Sequence, residues 1–201
     1  MNPVIIGLTG SIGMGKSETA KMFERAGIPV FDSDAAVHQL MARNGPAVDR
    51  VEKSFPGVSG PNGIDRKILG KRVFGDTAAL KKLEAILHPM VSEMRQKFFD
   101  QARADGLDMV VMDVPLLFET GGAEQCDYSV VVSAPAEIQR QRVLSRPGMT
   151  PRKFEDILAR QMADSEKKLR ADFVVQSDRG IEYAECQVKQ IIEKLREEIR
   201  A

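Results

Sequence analysis

Gly10-Ser11-Ile12-Gly13-Met14-Gly15-Lys16-Ser17 follows the apolar run Val4-Ile5-Ile6-Gly7-Leu8 with only Thr9 between. The octapeptide fits G-x-x-x-x-G-K-[ST] at every fixed position. Its glycines let the backbone curl so that successive N–H groups point at phosphate oxygens. Lys16 supplies a mobile cation for terminal phosphates, and Ser17 a hydroxyl of the kind that Mg2+ accepts. Met14 and Glu18 complete the stretch that would border the anion. A helix beginning near Lys16 would aim its positive end at it. The bland alternative is a flexible turn, but a strand before the loop and a helical pattern after it (Ala20, Phe23, Ala26) favour phosphate binding.

Beyond the loop, five short apolar runs read as buried parallel strands: 4–9, 28–32, 109–114, 128–133 and 172–176. They are rich in Val and Ile and do not alternate, as expected when both sheet faces are covered. Helical patterns separate them. One runs over 16–26 and stops at Gly27; another starts at Thr150-Pro151; the last covers 182–199, its apolar stripe reading as core rather than interface. The gap between the second and third strands carries patterns for five helices (35–43, 47–55, 66–74, 78–87 and 89–104), where a crossover needs one. The fold class is therefore α/β: a five-stranded parallel sheet with a helical insert. The expected division is a nucleotide-binding core of residues 1–34 and 107–201, with a lid at about 139–152, and an acceptor-binding insert of 35–106.

Composition sets bounds. The chain has 201 residues, and its 29 Lys+Arg balance 29 Asp+Glu. Zero net charge gives no electrostatic reason to expect nucleic acid or an anionic membrane as partner. Two distant cysteines, Cys126 and Cys186, suit a reducing compartment. No apolar run reaches membrane-spanning length and no leader pattern is seen, so the expectation is a cytoplasmic protein, monomeric or weakly self-associating.

Several side chains suggest chemistry beyond phosphate binding. Asp32 and Asp34 should stand at the carboxyl end of a strand beside the phosphate-loop strand, where ligands of open α/β sheets bind. A carboxylate there takes a proton from an attacking hydroxyl or helps to hold Mg2+; equally, Asp34 could cap a helix starting at Ala35. Asp113 ends the third strand, either as a metal-ordering acid or as a locally capped strand end. Arg140, Arg142, Arg146, Arg152 and Arg160 crowd one region, and Arg142 and Arg146 share a helix face. An arginine in cis stabilises charge in phosphoryl transfer, although arginines are also common on surfaces. SRPGMTP between two helices reads as a hinge. A guanine-reading N-K-x-D is absent, and Asp113 is followed by Val-Pro-Leu rather than a switch glycine. A small-molecule kinase is favoured over a nucleotide-controlled binding module.

The motifs GLTGSIGMGKS, GIPVFDSDAAVH, GIDRKILGKRVF, LKKLEAILHPMV, VVMDVPLLFE, QRQRVLSR, ILARQ and RADFVV together resemble the dephospho-CoA kinase family over nearly the whole chain. The resemblance implies a nucleotide monophosphate kinase-like fold and transfer of the ATP γ-phosphate, with Mg2+, to the ribose 3′-hydroxyl of dephospho-CoA. It implies that Asp34 acts on that hydroxyl as base and that Thr9 lies near the transferred group. Arg142, with Arg146 close by, is implied at the ATP phosphates and adenine, and Arg66, His88 and Pro89 on the acceptor side. Another acceptor, such as a nucleoside monophosphate, stays open. The segment QSDRG lacks the family's usual Asn, which leaves the adenine contacts open.

Overall fold

A computed structural model describes residues 2–200. In chain order the elements are β1 (Val4–Thr9), α1 (Lys16–Arg25), β2 (Val30–Asp32), α2 (Ser33–Met41), α3 (Val48–Ser54), β3 (Ser59–Gly60), β4 (Gly63–Ile64), α4 (Arg66–Val73), α5 (Thr77–Ala104) and β5 (Met109–Asp113). A 3-10 turn (Gly122–Gln125) leads to β6 (Tyr128–Ser133), α6 (Ala136–Leu144), α7 (Pro151–Leu158), α8 (Asp164–Arg170), β7 (Phe173–Gln176) and α9 (Ile181–Arg200). The chain divides into two compact units: the described residues of Met1–Phe31 with Ala102–Ala201, and Asp32–Gln101.

The first unit holds the expected five-stranded parallel sheet, in the order β2-β5-β1-β6-β7. One expectation is corrected: β2 does not neighbour β1, because β5 lies between them. Sequence order fixes neighbours only about two thirds of the time. β1 is flanked by β5 and β6, so the carboxyl ends of three adjacent strands surround the loop after Thr9. The strands are Val- and Ile-rich because helices cover the sheet. Ile6, Leu8, Phe23, Met109, Val130 and Leu195 are fully buried in one cluster. Burying each such side chain contributes roughly 1.5–3 kcal/mol.

The second unit has its own core, with Leu40, Val51, Val58, Leu69 and Leu87 among its residues. One reading is corrected here. The patterns over 78–87 and 89–104 form one helix, α5, with Pro89 inside it. Pro89 removes one N–H, and the Ala85 carbonyl four residues back is on an exposed residue, where water can serve it. The turn-rich PGVSGPNG forms a minimal hairpin, Ser59 pairing with Ile64 and Gly60 with Gly63. Gly63 is required: its φ is 97°, and a Cβ there would strike the Met41 carbonyl. The helix α8 had no sequence expectation.

Glu52 organises the entry to the hairpin. Its carboxylate accepts the backbone N–H groups of Gly57 (2.6 Å), Val58 (3.0 Å) and Ser59 (2.7 Å). These bonds, that of Gly57 first, hold the Glu52 carboxyl down at about 2. The contribution is therefore complete above the unfolded-state value near 4.3 and is lost as pH falls towards 2. Thermal unfolding of the wild type and Glu52→Gln should differ most at neutral pH, and the gap should close progressively below pH about 4.5. A gap independent of pH from 7 to 3 would show that the carboxylate's charge is not what the turn uses.

Candidate active site

Leu8 of β1 pairs in register with Asp113 of β5, so the carboxylate sits beside the mouth of the phosphate loop. Asp113 is buried, and its Oδ1 accepts a hydrogen bond from Lys16 Nζ. The pair holds the lysine at the loop. Gly15 stands at the N-cap of α1 with φ 98°, and no side chain caps the helix. Gly13 has φ 80°, and a Cβ there would come 2.5 Å from Val143 Cγ2 and 3.1 Å from the Gln139 carbonyl oxygen. Met14 is buried, its Sδ receiving the Ala134 N–H at 3.2 Å. Met14 thus anchors the loop through its side chain.

Ser17 and Glu18 are exposed on the first turn of α1. The Glu18 carboxylate lies 2.7 Å from Lys21 Nζ, whose hydrogen bond and charge hold its carboxyl below the ordinary value. Its N–H goes to the Gly15 carbonyl at 3.1 Å. Thr9 is fully buried, and its hydroxyl donates to the Pro115 carbonyl at 3.1 Å. Thr9 therefore braces the end of β1.

Arg142 approaches the loop from α6. Its Nη1 donates to Ser177 Oγ (2.9 Å) and to the Gly13 carbonyl (3.5 Å), and Nη2 donates to the Ser177 carbonyl (2.7 Å). Ser177 Oγ in turn donates to the Met14 carbonyl at 2.6 Å. Arg142, Arg146, Gly15, Met22, Ser177 and Ile181 line a hollow of about 470 Å³ beside the loop. Glu18 and Asp178 line it too, so its charge is mixed, with Met22 and Ile181 offering apolar wall to a heteroaromatic base and the two arginines offering charge to its phosphates. Ser177 was missed as a functional residue; its signal was its place in QSDRG directly after a strand.

In the second unit Asp32, Asp34, Val37, His38 and Arg66 line another hollow, of about 610 Å³. Asp34 is not the helix cap that the sequence allowed. α2 starts at Ser33, and Asp32 is its N-cap, accepting the Ala35 N–H at 2.9 Å. Asp32, the last residue of β2, is three residues before Ala35 and so in reach of that N–H, leaving Asp34 exposed in the first turn. Arg66 Nη1 bonds to His38 Nε2. His38 was also missed; its signal was its place one turn after Asp34. His88 and Pro89 are exposed on α5 and do not line this hollow.

The donor set fits Mg2+. Ser17 offers a hydroxyl and Asp113 a carboxylate, both hard oxygen ligands and few in number. Among the described residues no helix is long and apolar enough to cross a membrane.

A parallel sheet, an uncapped glycine-held helix start, a paired lysine and an arginine-rimmed hollow define a P-loop kinase. The profile of the dephospho-CoA kinase family matches residues 4–182. The chain is 52% identical over 195 residues to the dephospho-CoA kinase of Novosphingobium aromaticivorans, covering 97% of this chain and 96% of that one. It is 53% identical over 193 residues to that of Mesorhizobium japonicum, covering 96% and 97%. A solved structure from Thermus thermophilus superposes with a TM-score of 0.85 at 30% identity, covering 96% of this chain and 98% of that one. The chain belongs to the dephospho-CoA kinase family.

Gly13→Ala should cost at least about tenfold in MgADP affinity, because the added methyl meets Val143 and the φ is one that L residues avoid. Ser177→Ala should weaken binding less, by about three- to tenfold, since Arg142 keeps the Ser177 carbonyl. Calorimetric titration with MgADP separates the two; equal affinities of both variants and wild type would remove the loop and Arg142 from the nucleotide site.

Proposed function

We propose that this chain phosphorylates the ribose 3′-hydroxyl of dephospho-CoA with ATP, giving CoA and ADP. The observation that carries this reading is the near full-length likeness to dephospho-CoA kinases at about half identity, combined with a complete phosphate loop. A cytoplasmic location accords with two free cysteines, which suit a reducing compartment.

ATP places its phosphates against the N–H groups around Gly13, Gly15 and the start of α1. Lys16, held at the loop by Asp113, neutralises the terminal phosphates. Ser17 and Asp113 would hold Mg2+, which supplies charge neutralisation at the phosphate oxygens when bound. Arg142, with Arg146 beside it, faces the nucleotide hollow and offsets charge that develops on the transferred group. Asp34 is the base: an exposed carboxylate, not consumed by capping, that accepts the proton of the attacking hydroxyl. Arg66, which lines the same hollow as Asp34, binds an anionic part of the acceptor. His88 and Pro89 contribute to the acceptor unit at a different place on its surface. Thr9, at the end of β1 directly before the loop, lies near the transferred group and braces the strand end through the Pro115 carbonyl.

ADP release is to be measured with MgATP and dephospho-CoA, AMP, CMP or no acceptor, with the product mass determined. Dephospho-CoA-dependent release and a product at the mass of CoA are expected; release with AMP or CMP instead would overturn the acceptor. Asp34→Asn should bind MgADP like the wild type and lose about 100-fold or more in turnover. Turnover within a few-fold of wild type would remove Asp34 as the base.

A further inference from the structure

Ile12, inside the phosphate loop, is gripped on both sides of its backbone by glutamine side chains from two separate elements. Gln161 Oε1 accepts the Ile12 N–H at 3.1 Å, and Gln139 Nε2 donates to the Ile12 carbonyl at 2.8 Å. Gln139 lies on α6 and is 5% exposed. Gln161 lies in the short link between α7 and α8. The two glutamines thus bracket residues 140–160, the stretch that carries all five clustered arginines.

The link that carries Gln161 is itself fixed from below. The next residue, Met162, donates its N–H to Glu119 Oε1 at 2.8 Å. Lys167 of α8 is completely buried; its Nζ lies 2.8 Å from the same Glu119 oxygen and donates to the Pro115 carbonyl at 3.4 Å. That carbonyl also takes the Thr9 hydroxyl. Burial works against a charged Glu119, but the bonds from Lys167 and Met162 outweigh it and hold its carboxyl below the ordinary value. Glu119 Oε2 is buried without a hydrogen-bond partner, so loss of the lysine would leave a poorly compensated charge. A buried ion pair of this kind is weak evidence for stability but good evidence for a fixed position.

We propose that Gln161 and Gln139 are positioning residues that set the shape of the phosphate loop, and that the Glu119–Lys167 pair holds Gln161 in place. A glycine loop has many backbone shapes, and its N–H groups converge on an anion in few of them. Pinning both polar groups of Ile12 removes much of that freedom before nucleotide arrives. The inference rests on the nucleotide site of the proposed function but not on its acceptor.

The test is calorimetric titration of the full chain with MgADP and no acceptor, alongside thermal unfolding. Gln161→Met keeps the length and apolar stem of the side chain and removes the acceptor oxygen. It should weaken MgADP by about five- to tenfold, the scale of one hydrogen bond, with little change in Tm. In steady-state kinetics the KM for ATP should rise with it while the acceptor KM stays within about twofold. Lys167→Met should weaken MgADP in the same direction, and its effect should be less than additive with that of Gln161→Met. Should Lys167→Met fail to fold, Gln161→Met at its half-buried position still decides. MgADP affinity unchanged by Gln161→Met would overturn the proposal, as would a parallel loss of ATP affinity, acceptor affinity and Tm. An enzyme that proves to use another acceptor would alter the kinetic assay and leave the MgADP titration standing.

Discussion

The Lys16–Asp113 ion pair sits where β1 and β5 run side by side, and the site is arranged around it. A lysine that follows a glycine loop is useful only if its charge stays at the loop when no phosphate is there. A buried carboxylate on the neighbouring strand provides that, and it does so only because β5 inserts between β2 and β1. The sheet order is therefore part of the chemistry. With any other strand at β1's side, the carboxylate at position 113 would have no lysine to meet.

The pair fixes one end of the loop, and the rest is fixed by side chains from outside it. Met14 is held by its sulfur, the Met14 carbonyl by Ser177, the Gly13 carbonyl by Arg142, and Ile12 by two glutamines. Each of these contacts uses a carbonyl oxygen, a sulfur or the N–H of Ile12. What stays uncapped by a side chain is the N-terminal end of α1. Carbonyl oxygens turned away and tied down leave donors facing the space where an anion goes.

Much of this was legible beforehand. Periodicity and β-branched content located the five strands to within two residues, because parallel strands buried on both faces have little freedom in composition. The loop was legible because backbone curvature demands glycine in fixed places. The strand order was not, since pairing depends on tertiary packing. Neither was the continuity of α5 through Pro89, which lies, like Ala85 four residues before it, on an exposed part of the helix. Gln139, Gln161 and Lys167 were illegible for a different reason. They are ordinary polar residues in polar helices and links, and only a fold that brings α6, α8 and the loop together gives them partners. Asp32 rather than Asp34 caps α2 because the helix starts at Ser33, two residues before the Ala35 that the pattern suggested.

The two units also show the same backbone chemistry put to opposite uses. In the second unit the N–H groups of Gly57, Val58 and Ser59 converge, and Glu52 fills them from within the chain. In the first unit the helix start after Gly15 is left without a side-chain cap. Glu18, the acidic residue nearest to it, is drawn instead to Lys21. Had Glu18 turned back to the helix start, it would compete with phosphate much as Glu52 would if an anion approached the hairpin. An internal carboxylate stabilises a turn by occupying its donors. A binding loop must forgo that stabilisation and be held open by contacts elsewhere, a role that falls here to Ser177, Arg142 and the glutamines on Ile12.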